Sequence, residues 1–146
     1  MSRATPQMRD LAGRTVAHEI SQQKVLPGII RPPAFFVCEK LGPQLATLMG
    51  RGGCHALLSR ALALSRQDVE WLRSVLVTEA GSLGIADDVP DNVDAKELTT
   101  GSVALVAELL GLLCAFIGDN LTLRLVRDVW PTVPFDDLKL PKENKP

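Results

Sequence analysis

Residues 102–118, SVALVAELLGLLCAFIG, constrain this chain more than any other stretch. Between 103 and 117 the only charge is Glu108, so a helix here is apolar nearly all round. Such a helix is stable only when other elements enclose it. Fifteen apolar residues fall short of the roughly 20 that cross a bilayer, so the run predicts a central buried helix and no membrane span. Gly118 stops it, Asp119 or Asn120 caps a last helix, LTLRLVRDVW, and Pro131 ends that one. The 146 residues support one domain. At 46% hydrophobic and 23% charged, the chain has the composition of a globular domain, not of a disordered one.

Upstream of that helix, Met8, Leu11, Ala12, Thr15, Val16 and Ile20 give residues 7–22 one narrow apolar face. Pro27, Gly28, Pro32 and Pro33 then forbid a continuous helix. Residues 1–32 therefore read as an arm, an amphipathic helix on a Pro-rich strap. The expected arm contacts are Met8, Leu11, Val16 and Ile20. An arm that serves association can be deleted and leave a folded core; an arm that belongs to the core cannot.

The helical domain is expected over 33–131 and a polar tail over 132–146. Pro33 suits the first turn of a helix through Phe35, Phe36, Cys38 and Leu41. Gly42 and Pro43 kink or end it. Gly50-Arg51-Gly52-Gly53 reads as a turn into a helix over 54–64. Ser65 and Asp68 have capping-box spacing, predicting a further helix with Val69, Leu72, Val75 and Leu76 inward and Trp71 beside them. An extended excursion around 75–77 is the competing reading. Residues 78–93 lose periodicity, and Asp94 with Glu97 caps a short helical turn. The expected fold class is all-α, a compact bundle of five or six helices around 102–118.

Charge is split unevenly. Residues 1–78 hold ten of the 16 basic and five of the 17 acidic side chains, and the remainder is acidic, with Asp87, Asp88, Asp91 and Asp94 close together. The net charge of −1 argues against a nucleic-acid binder. Four Phe and two Trp, with no Tyr, leave few stacking platforms. Three cysteines, Cys38, Cys54 and Cys114, form no CxxC and are an odd number, which predicts free thiols. With no apolar leader in the first fifteen residues, a cytoplasmic location is expected.

No catalytic, cofactor or metal constellation stands out. Gly50–Gly53 with Arg51 looks like an anion nest, but no strand precedes it and no Lys-Ser/Thr pair follows. Cys54 and His55 diverge by about 100° on a helix, so they cannot act as nucleophile and base together. His55 and Ser59 share a face without a carboxylate to orient the ring. His18 stands alone, and DDVPDNVD lacks calcium-loop spacing. Glu108 calls for a basic partner, Arg124 or Arg127. The weak polar-site candidates are thus Arg51, His55, Ser59 and Glu108. A segment with a helix-turn-helix outline, 58–73, would present Arg66, Gln67 and Arg73, but also Asp68 and Glu70 to phosphates.

One positive feature remains. Ala104, Ala107, Gly111, Ala115 and Gly118 form a small-residue stripe on the apolar helix. It suits close approach by another helix, from the same chain or from a second subunit. The expectation is a non-enzymatic interaction or regulatory module, bound to a protein partner or to itself as a homodimer. A small-ligand pocket between helices is the first alternative, and DNA binding through 58–73 the second.

Overall fold

The computed structural model of the chain describes residues 6–22, 33–77, 83–85 and 95–133. Pro6 opens the first helix, α1 (Pro6–Gln22). Proline's fixed φ suits that position, and its missing N–H costs nothing there. Met8, Leu11, Ala12, Thr15, Val16 and Glu19 recur every three or four residues, and all are buried. On the outer side the Asp10 carboxylate accepts from Arg14 Nε and Nη2, both at 3.1 Å.

The second helix, α2 (Pro33–Ser65), absorbs two boundaries that the sequence predicts. Pro43 lies inside it without ending it. Of the expected four-residue turn, only Gly50 leaves helical geometry, at φ 77 and ψ 171. Arg51, Gly52 and Gly53 resume the helix at once. A left-handed φ is open to glycine without a Cβ clash, so the kink is confined to one residue.

The capped helix expected from Ser65 does not form. Ser65 is the last residue of α2, and its hydroxyl donates backward to the carbonyls of Ala61 (2.9 Å) and Leu62 (3.2 Å). The chain turns, makes a five-residue 3₁₀ helix (Glu70–Ser74) and runs into strand β1 (Val75–Val77). β1 pairs antiparallel with β2 (Leu83–Ile85), with Val75 opposite Ile85 and Val77 opposite Leu83. The extended excursion at 75–77 is therefore present, as β-branched Val75 and Val77 favour. Arg66 holds the turn: Nε donates to the Leu72 carbonyl at 3.2 Å and Nη2 to that of Val75. This corrects the helix-turn-helix outline of 58–73. Its second element is too short to lie along a groove, and Arg66, the first of its two arginines, is spent on the turn.

The central helix is α3 (Ala95–Ile117), which starts seven residues before the expected 102 and takes in the turn predicted near Asp94. Its extra length overturns the fifteen-residue argument against a span. Residues 96–117 are long and apolar enough to cross a membrane by length and composition alone. Most of their apolar window is nonetheless covered inside the fold. Leu105, Val106, Ala107, Leu109, Leu110 and Leu113 have no exposed surface. α2, α1 and the last helix, α4 (Asp119–Val129), pack round α3. Gly118, at φ 93, makes the corner between α3 and α4, as the sequence predicts.

The all-α class holds, with the β1–β2 ribbon as a small addition. Among the described residues there are four α-helices, one of them kinked, where the sequence predicts five or six. The Pro-rich strap at 27–32, the cluster Asp87, Asp88, Asp91 and Asp94, and the tail from 134 lie outside the described residues.

Candidate functional site

The small-residue stripe of α3 does not present one open face. Ala107 and Gly111 are buried within the chain, Ala104 and Gly118 are half-buried, and only Ala115 is exposed. The middle of the stripe thus lets α3 pack against its own neighbours. Its C-terminal end is different. Beside Ala115, Phe116 is 68% exposed, the largest value among the large apolar side chains described.

The corner at Gly118 carries that surface into α4. The Gly118 carbonyl accepts from the Thr122 amide (3.1 Å) and from the Thr122 hydroxyl (2.8 Å), which fixes the first turn. α4 is sharply two-sided. Thr122, Leu123, Leu125 and Val126 are buried. Asn120, Leu121, Arg124, Arg127 and Asp128 are exposed. A depression of about 380 Å³ opens on this outer side, lined by Asn120, Leu123, Arg124, Arg127 and Asp128. The corner therefore joins two exposed apolar side chains, Phe116 and Leu121, to a shallow surface carrying both signs of charge.

Of the arm contacts, Met8, Leu11 and Val16 are buried against the chain's own helices, whereas Ile20 is 43% exposed. The Met8 thioether accepts from the Cys114 thiol at 3.4 Å, fixing the start of α1 beside the end of α3.

The polar candidates do not converge. Arg51 is exposed beside the α2 kink. His55 Nδ1 and Ser59 Oγ meet at 3.5 Å, one turn apart and half-buried, which is the outer limit of a hydrogen bond. Glu108 is buried in α3 and is not without a partner. His18 is half-buried in α1. No group of three or more His, Cys, Asp or Glu side chains is placed to hold a metal ion among the described residues.

All three cysteines are free thiols. Burial pushes Cys38 up to about 12, with smaller contributions from Cys54 and Glu39, and burial also raises Cys54. A straight helix would set residues 38 and 54 about 24 Å apart. The contribution of Cys54 to the Cys38 shift fits the bend that Gly50 introduces. Thiols held protonated in this way are poor nucleophiles.

One polar cluster escapes the sequence reading. Glu19 is 1% exposed, and its Oε2 accepts from Trp130 Nε1 at 2.7 Å and from Lys40 Nζ at 2.6 Å. These three residues tie α1, α2 and the end of α4 together. The signal was present, because Glu19 continues the apolar stripe of α1, three residues after Val16. What no pattern shows is that two partners 21 and 111 residues further along the chain meet it.

No protein-family profile, curated protein or solved structure matches the chain.

Proposed function

We propose that this chain is a non-enzymatic helical interaction module that associates with itself through the α3–α4 corner. The observation that carries the reading is Phe116, 68% exposed at the end of a helix whose middle is enclosed. Full burial of a Phe side chain is worth about 1.5–3 kcal/mol. Leu121, 38% exposed, extends the apolar surface onto α4. Arg124, Arg127 and Asp128 frame the depression beside it, so the face carries charges of both signs for a second copy to meet. Among the described residues the depression is lined by α4 alone, and it is open to the outside, which suits a side chain from a partner better than an enclosed small ligand.

Sedimentation velocity tests the reading. The native chain is expected to sediment as a dimer at high micromolar concentration, and Phe116→Asp as a monomer with unchanged helical circular dichroism. A native chain that stays monomeric overturns the proposal.

A further inference from the structure

After α4 the chain reverses. The Val133 amide donates to the Trp130 carbonyl at 3.2 Å, which closes a β-turn, and Val133 is buried. The sequence that follows is PFDDLKLP, residues 134–141. Its two prolines disfavour a helix, and the residue before Pro141 is biased to extended backbone. In an extended chain alternate residues share one side, here Asp136, Leu138 and Leu140, with Asp137 and Lys139 on the other. The outer face of α4 has a matching order. At about 100° per residue the exposed Leu121, Arg124 and Asp128 fall within about 60° of one another. Measured back from Trp130 at about 1.5 Å per residue, Asp128 lies at about 3 Å, Arg124 at about 9 Å and Leu121 at about 14 Å. Measured from Val133 at about 3.3 Å per residue, Pro134 reaches about 3 Å, Asp136 about 10 Å and Leu138 about 17 Å. The reach therefore brings Asp136 level with Arg124, which has no ion-pair partner among the described residues. It brings Leu138 to Leu121, and Leu140 past Gly118 to the corner that bears Phe116. Pro134 passes Asp128, so the carboxylate on that face meets no like charge.

We infer that residues 134–140 lie antiparallel along the outer face of α4 in their own chain. Asp136 pairs with Arg124, and Leu138 and Leu140 cover Leu121 and Phe116. Asp137 and Lys139 face outward. The occupant is this segment because it starts beside the face, and a tethered segment meets its site at an effective concentration in the millimolar range. Charge agrees, since Asp136, Asp137 and Lys139 oppose Arg124, Arg127 and Asp128 with the reverse net sign. The consequence rests on the self-association proposed above: the segment competes with a second copy for the corner and holds association back.

Disulfide trapping in the full-length chain tests the placement, in a Cys114→Ser background that removes the half-buried native thiol. Under a mild oxidant, Leu121→Cys/Leu138→Cys is expected to close a crosslink within one chain about tenfold faster than Leu121→Cys/Lys139→Cys, whose second thiol faces outward. Adding Arg124→Asp to the first pair should slow closure several-fold, and adding Asp136→Arg as well should restore it. Circular dichroism is the folding control. Equal rates in the two pairs, a crosslink that joins two chains, or a charge reversal without effect overturns the placement. Sedimentation reads the competition. A face covered nine-tenths of the time loses about tenfold in apparent affinity, so Leu138→Asp/Leu140→Asp is expected to dimerise about tenfold more tightly than the native chain. An unchanged dimer constant overturns the competition. If the native chain and this variant are both monomeric while the first cysteine pair still closes within the chain, the self-association reading fails and the placement of residues 134–140 stands.

Discussion

Two residues show how tightly single side chains are constrained here. A Cβ added at Gly101 would lie 2.6 Å from Cζ2 and Nε1 of Trp71. That indole is 5% exposed and donates to the Glu97 carbonyl at 3.0 Å, so it has no free direction in which to retreat. Alanine gains about 1 kcal/mol in helix propensity over glycine, whereas overpacking costs about 1–3 kcal/mol. Gly101→Ala is therefore expected to lose up to about 2 kcal/mol in urea unfolding. A variant as stable as the native chain would remove Trp71 as the reason for this glycine. Cys38 makes a second case, through pH. Its thiol titrates near 9.0 when unfolded and near 12 when folded. Between those values only the unfolded chain gives up the proton, so stability falls as pH rises, by up to about 1.4 kcal/mol per pH unit. Below pH 9 both states are protonated and Cys38 contributes no slope. Cys38→Ala should flatten the alkaline limb of stability against pH, and identical slopes in the two proteins would refute the linkage.

At the scale of elements, the sequence was legible where one physical signal dominated and misleading where two competed. The apolar run at 103–117 had no competitor, and α3 is the enclosed central helix. Gly118 and Pro131 bound α4 as their backbone chemistry requires. Pro43 did compete with its surroundings. Burial of Leu41 and Leu45 on either side holds α2 together across a residue that propensity alone would use as a stop. Ser65 shows the same conflict at closer range. Its spacing to Asp68 reads as a cap, but a serine hydroxyl bonds equally well to the carbonyls one turn back. Arg66, bonded to carbonyls six and nine residues ahead, decides the outcome, and no periodicity reports such a contact. The candidate site was half legible for the same reason. The small residues of α3 were visible as a stripe, but only the packed fold distinguishes the covered Gly111 from the uncovered Phe116 at the helix end.

For the whole molecule, the question is whether α1 is an arm or a wall of the core. Its buried face includes Leu11, Ala12 and Val16, each without exposed surface, and it lies on α3 and α2. The contact is also polar-locked. Glu19 holds Trp130 and Lys40, so removing α1 leaves the buried Trp130 N–H without its acceptor. An unsatisfied buried donor costs about 1–3 kcal/mol, and each large aliphatic side chain lost from a core about 2–5 kcal/mol. Taken together these exceed the lower part of the roughly 5–15 kcal/mol that stabilises a domain. The ion pair itself adds less, because the Lys40 side chain is 45% exposed and solvent screens it. Deleting residues 1–30 is therefore expected to abolish cooperative thermal melting by circular dichroism and to shift Trp130 fluorescence toward that of a solvated indole. A truncated chain that melts cooperatively at the native midpoint would return α1 to the status of a detachable arm. It would also mean that α2, α3 and α4 alone enclose the apolar run on which the fold depends.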